Sequence, residues 1–158
     1  MAQMAQASRT PYTILIVDDE KIQRDTLAEL LEHRGYGVTV AAGVVEGITI
    51  LSTNTAPDLV LSDFKMPDGT GLDIASHCLE VTPSTDVMIM TAYADIQSVI
   101  AAMQVGVVDY LLKPLNMEAL FRKIEVLEER RGLKREVRLL RTELNRMKSQ
   151  KSFPTCTS

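Results

Sequence analysis

Five short apolar runs, each followed by a stretch with helical spacing, confine this chain to one kind of architecture. Residues 13–17, TILIV, are continuous, apolar and β-branched, the pattern of a parallel strand buried on both faces. Runs of similar character follow at 38–40, 59–61, 87–90 and 107–112. Between them lie amphipathic segments. Ile22, Leu27, Leu30 and Leu31 mark a helix over 22–34 that Gly35 stops, and a second spans 45–51. Ile74, Ala75, Cys78 and Leu79 mark a third. Asp95 caps a fourth carrying Ile96, Val99, Ile100 and Met103, with Gly106 placed to end it. A long helical pattern then covers 117–148. Five β/α units in this length predict an α/β fold, a five-stranded parallel sheet, doubly wound, with right-handed crossovers and an extended C-terminal helix.

At 158 residues there is room for one compact domain and an appendage. With 46% hydrophobic and 24% charged residues, a wholly disordered chain is excluded. Cys78 and Cys156 are too few for a disulfide framework, which points to a reducing, cytoplasmic setting. No apolar run is long enough to span a membrane, and residues 1–11 lack the apolar stretch of a secretory signal and read as a flexible tail. The net charge of −4 conceals an asymmetry. Up to Leu115 there are 6 basic and 15 acidic residues; from Asn116 there are 11 basic and 6 acidic. The basic tail alternates in sign along the sequence, so it reads as a solvated helix face without direct nucleic-acid binding.

Ligands of such sheets bind outside the carboxyl ends of the strands. The residues there are Asp18, Asp19 and Glu20 after the first strand, Asp63 ending the third, Thr91 after the fourth, and Lys113-Pro114 after the fifth. Two carboxylates ~4 Å apart repel by about 4 kcal/mol at an effective dielectric of 20, so three of them call for a cation. A few oxygen ligands open to water suit Mg²⁺. A divalent ion and a lysine beside an exposed carboxylate can neutralise the oxygens of an incoming phosphoryl group while the carboxylate attacks in line. Other residues read as structural. His77 and Cys78 are adjacent on a helix and face apart, Gly69 and Gly71 are turn residues, and Met88 and Met90 fill the core.

IVDDE at 16–20, SDFKMPDGTG at 62–71, MTA at 90–92 and DYLLKP at 109–114 together resemble the receiver domain of bacterial two-component response regulators. The resemblance covers roughly residues 12–128 and implies a flavodoxin-like fold of strand order 2-1-3-4-5. It makes Asp63 the acceptor of a phosphoryl group from a sensor histidine kinase. It makes Asp18, Asp19, Asp63 and the Lys65 carbonyl the Mg²⁺ ligands, with Asp19 the more direct of the acidic pair. Lys113 then binds phosphoryl oxygens, Thr91 moves onto them after transfer, and Tyr110 swings inward with it. A cis peptide before Pro114 is implied as well. The stretch TAYADIQSVIAAMQVGVVDYLLKP with its following helix is similar to the receivers of sigma-54-dependent transcriptional activators.

In the last helix, Leu120, Phe121, Ile124 and Leu127 form the face expected to pack on the sheet. Leu133, Val137, Leu140, Leu144 and Met147 alternate spacings of four and three, and the seam extended backwards reaches Val126. Glu129, Glu136 and Glu143 flank it on one side, and Lys134, Arg141 and Lys148 on the other. That is the arrangement of a parallel homodimer, with residues 129–148 as a coiled-coil linker and 149–158 as a disordered tail. SQKSFPTCTS starts no ATPase motif, so a transcriptional output, a phosphodiesterase or a kinase output, and a stand-alone phosphotransferase or hydrolase remain alternatives.

Overall fold

A computed structural model describes residues 11–53, 55–93 and 95–152. Its elements in chain order are β1 (Thr13–Val17), α1 (Lys21–His33), β2 (Gly37–Ala41), α2 (Val44–Thr53), β3 (Leu59–Asp63), β4 (Lys65–Met66), β5 (Gly69–Thr70), α3 (Gly71–Val81), β6 (Asp86–Thr91), α4 (Ile96–Gln104), β7 (Asp109–Leu112) and α5 (Met117–Ser152). Five strands pair in parallel in the order β2-β1-β3-β6-β7. The expected topology is therefore present, with the small antiparallel hairpin β4–β5 inserted after the third strand.

The apolar runs form the central strands, whose side chains are buried on both faces. Leu15, Val17, Val60 and Ile89 are buried in one cluster with Ile74 and Ala75 of α3 and Val44 and Leu51 of α2. Burying each such aliphatic side chain is worth about 1.5–3 kcal/mol. Local signals set the helix ends. Gly35 leaves α1 at φ 95° and Gly106 follows α4 at φ 83°, a region glycine enters without steric cost. Asp95 caps α4 by accepting the Ser98 amide at 2.7 Å.

The helices form where their spacing places them, the tertiary fold sets which of their residues are buried, and the fifth strand and Gly71 depart from expectation. In α1 the buried residues are Leu27, Ala28 and Leu31, whereas Ile22 is 82% exposed and Leu30 is also exposed. In α4 only Ala102 is buried, and Ile96, Ile100 and Met103 face solvent. Helical spacing finds an apolar stripe but not whether anything covers it. The fifth strand begins at Asp109, two residues later than its apolar run, because pairing with β6 starts there, opposite Met88, while Val107 is buried ahead of it. Gly71 is the first residue of α3 and not part of a turn.

The chain divides into two compact units, the first ending at Leu115 and the second starting at Asn116. The second contains α5, whose 36 residues span about 54 Å at 1.5 Å per residue. Leu120, Ile124 and Leu127 are its buried apolar residues, and Val126, Leu133, Val137, Leu140, Leu144 and Met147 are exposed. Helix continues through Ser149 to Ser152, where a disordered tail was expected. The rest of that tail, 153–158, and the first ten residues lie outside the described ones. Among the described residues no helix is long and apolar enough to cross a membrane.

Candidate functional site

Strand register assembles the site. Val17 pairs with Ser62, Asp63 with Met90, and Thr91 with Leu112, so all these strands end at one rim. Asp18 and Asp19 follow β1 directly, Asp63 ends β3, Thr91 ends β6, and Lys113 follows β7. The peptide between Lys113 and Pro114 is cis.

Asp18, Asp19 and Asp63 each offer a carboxylate oxygen, all within 4.8 Å of one another. Lys113 Nζ lies 3.3 Å from Asp63 Oδ2 and 3.6 Å from Asp18 Oδ2. Asp18 is buried, and its Oδ1 accepts the Glu20 amide at 2.9 Å, which leaves Oδ2 for the site. The Asp63 carboxyl is pushed above its ordinary range, first by burial and then by the Asp18 charge; Lys113 and the Phe64 amide pull the other way. Carboxylate oxygens this close, half-open to water, fit a small hard cation such as Mg²⁺.

The backbone under Asp63 is tightly held. The Phe64 amide donates both to Asp63 Oδ1 at 2.9 Å and to the Met90 carbonyl at 2.8 Å. The Gly71 amide donates to the Phe64 carbonyl at 2.8 Å. A Cβ on Gly71 would lie 2.7 Å from the Asp63 carbonyl oxygen and 2.6 Å from Ile89 Cδ1, so glycine is required for this approach. Farther along the loop, Asp68 accepts the Val44 and Val45 amides at 3.0 Å each, which holds its carboxyl below the usual carboxylate range and pins the hairpin to the start of α2. Lys65 opens the hairpin with its side chain exposed.

The expected switch residues sit beside this centre. The Thr91 hydroxyl donates to the Tyr93 carbonyl at 2.9 Å and accepts the Tyr93 amide at 3.1 Å. The Tyr110 hydroxyl reaches the same carbonyl at 3.5 Å, and its ring lies 6.3 Å from that of Phe64. Burial, followed by the Asp95 charge, raises the Tyr110 phenol above its ordinary range. The structural residues also stay apart from the chemistry: Cys78 is buried with its thiol pushed up by that burial, and Met88 and Met90 are in the core.

Two participants escaped the sequence reading. Arg24 Nη1 donates to the Asp18 carbonyl at 2.8 Å, and Gln23 Oε1 accepts from Lys113 Nζ at 3.0 Å. Both lie in the first turn of α1, which the rim topology places near the site, but nothing local in the sequence distinguishes them from surface helix residues.

Comparison with known proteins agrees with this geometry. Residues 14–125 match the family model of the response regulator receiver domain. The transcriptional regulatory protein GlrR of Escherichia coli (strain K12) is 34% identical over 118 residues, 75% of this chain and 26% of that protein. A CheY-like receiver domain protein from Methanospirillum hungatei JF-1 superposes with a TM-score of 0.73 at 31% identity, covering 78% of this chain and 98% of that one. A response regulator protein from Burkholderia pseudomallei, solved with a phosphorylated aspartic acid, a calcium ion and citrate, gives a TM-score of 0.65 at 28% identity, covering 69% and 64%. The chain spans about a quarter to just over half the length of the curated relatives it matches.

Proposed function

The chain belongs to the response regulator receiver domain family, and from that premise we propose that Asp63 accepts a phosphoryl group from a sensor histidine kinase and that the phosphorylated form switches an output. Receiver domains of two-component systems work with histidine kinases and use Mg²⁺ at an acidic site. The observation that carries the reading is Lys113 Nζ at 3.3 Å from Asp63 Oδ2, beside three carboxylates whose oxygens lie within 4.8 Å of one another.

Asp63 supplies the attacking oxygen: an O–P bond forms as the phosphorus–nitrogen bond to the kinase histidine breaks, and the freed imidazole takes up a proton. Asp18, Asp19, Asp63 and the Lys65 carbonyl would hold Mg²⁺, which offsets the negative charge of the carboxylates and phosphoryl oxygens. Lys113 pairs with a phosphoryl oxygen. Thr91 gives up the Tyr93 carbonyl for the phosphoryl group, and Tyr110 follows. The protein is a phospho-acceptor switch that catalyses only its own phosphorylation and slow dephosphorylation.

The output we favour is transcription, exercised by a homodimer in the cytoplasm. The relatives named as transcriptional regulators support the first part. The exposed stripe of Leu133, Val137, Leu140, Leu144 and Met147 supports the second. Residues 12–128 would form the receiver and 129–148 the linker. Intact-mass measurement after incubation with acetyl phosphate and Mg²⁺ tests the central claim: one phosphoryl group is added to wild type and none to Asp63→Asn. Full labelling of that variant overturns it.

A further inference from the structure

We propose that Gln23 is a positioning residue for Lys113, holding its ammonium beside Asp63 without letting it close on the attacking oxygen. This rests on the reading of Asp63 as phosphoryl acceptor. Lys113 has three N–H donors and three partners: Gln23 Oε1 at 3.0 Å, Asp63 Oδ2 at 3.3 Å and Asp18 Oδ2 at 3.6 Å. The nearest is the neutral amide. Charge-assisted N–H···O⁻ bonds usually close to about 2.7–2.9 Å, so both carboxylates are held at longer range. Gln23 lies in the first turn of α1 and Lys113 after β7, 90 positions away, so the contact is a product of the fold.

An amide suits this task better than either kind of substitute. A carboxylate at the same place would add a negative charge to three already clustered, and would compete for a cation. An apolar side chain would leave the ammonium with two acidic partners only. It would then draw toward Asp63 Oδ2 and stabilise the lone pair that must form the new O–P bond. With the amide in place, the ammonium is free to turn to a phosphoryl oxygen as the donor's bond to phosphorus breaks.

The experiment uses the full chain with Mg²⁺ and acetyl phosphate, from which acetate leaves as Asp63 is phosphorylated. Initial labelling rates at saturating donor are read by intact mass for wild type, Gln23→Leu, Lys113→Ala and the double variant. Gln23 is exposed, so Leu removes the acceptor without emptying the core. Gln23→Leu is expected to slow labelling at least about threefold in the presence of Lys113 and to have no further effect in the Lys113→Ala background, the signature of coupling through that lysine. Unchanged labelling of Gln23→Leu, or equal slowing in both backgrounds, overturns the positioning role while leaving Asp63 as acceptor. Absence of label on wild-type Asp63, checked against Asp63→Asn, overturns both.

Discussion

The backbone amide of Lys113 donates to the carbonyl of Thr91 at 2.7 Å, which joins the lysine of the site to the residue whose hydroxyl is its proposed switch. Movement of Thr91 toward a phosphoryl group on Asp63 would thus pull at the end of β7 as well. The Thr91 side chain now points the other way, exchanging hydrogen bonds with Tyr93. Thr91→Val keeps the shape and removes the hydroxyl. It should cost about 1–3 kcal/mol in urea unfolding, since the hydroxyl's two hydrogen bonds are each worth about 0.5–1.5 kcal/mol net. Asp63 should still accept phosphoryl from acetyl phosphate, while any phosphorylation-dependent change in sedimentation should be lost. A retained change would assign the switch to another group.

Asp63→Asn makes a prediction about stability as well as labelling. The Asp63 carboxyl is raised above the ordinary aspartate value of 3.8, with burial as the leading cause and the Asp18 charge adding to it. A raised carboxyl binds its proton more tightly in the folded state. Folding stability from this group is therefore fully present below the unfolded pKa and is lost as pH rises through the folded one. The asparagine variant lacks that loss, so its melting temperature should exceed wild type at pH 7 without divalent ions. The gain should shrink as pH falls toward 3.8. A variant less stable than wild type at pH 7 would show that the Lys113 contact outweighs burial.

Gly71→Ala tests how the backbone beneath Asp63 is supported. Its Cβ would press on the Asp63 carbonyl and on Ile89, both too close for a methyl group. Overpacking of this kind costs about 1–3 kcal/mol, measurable by urea unfolding. Because the strain falls on the residue bearing the nucleophile, labelling should slow more than in a variant of equal instability elsewhere in the core, such as Leu51→Val. Equal slowing in the two would remove any special link between Gly71 and Asp63.

The sequence carried the sheet and most of the site for one physical reason. Strands buried on both faces are continuous apolar runs, and polar residues at their carboxyl ends mark the rim. Asp18, Asp63, Thr91 and Lys113 could be read that way. Gln23 could not, because its bond to Lys113 spans 90 positions and its own surroundings look like a helix surface. Ile22 and Ile96 lie in helices as their spacing indicates, but which residues of a stripe are buried depends on what lies opposite, and both are exposed. Gly71 resembled a turn glycine because the close approach of Ile89 and the Asp63 carbonyl is tertiary.

The exposed seam of α5 predicts a concentration-dependent dimer. Its apolar residues would contribute most of the association, since each exposed ion pair between Glu and Lys or Arg adds under about 1 kcal/mol. Glu143 is bound to Arg146 within the same helix at 2.7 Å, which reduces its availability to a partner. Leu140→Lys should therefore shift sedimentation toward monomer, whereas Glu143→Gln should change it little. A dimer that survives Leu140→Lys would move the interface away from the seam.

The lifetime of the phosphorylated state follows from what flanks it. We propose that Lys65 and Tyr93, two residues beyond Asp63 and Thr91, influence attack by water on the phosphoryl group. Both side chains are exposed, Tyr93 at 84%. Neither offers a carboxylate or amide to orient a water molecule. Tyr93 is also engaged through its backbone, both its amide and its carbonyl bonding the Thr91 hydroxyl. A substitution of its side chain thus leaves those bonds in place and isolates the effect on water. Decay of the aspartyl phosphate, followed by intact mass after removal of acetyl phosphate, should take minutes or longer. Tyr93→Glu should hasten it about tenfold by holding water near the phosphorus. Decay of wild type within seconds, or a variant no faster than wild type, would show that a group other than residues 65 and 93 governs the lifetime; Gln23, whose amide lies 3.0 Å from Lys113 Nζ, is then the first to substitute.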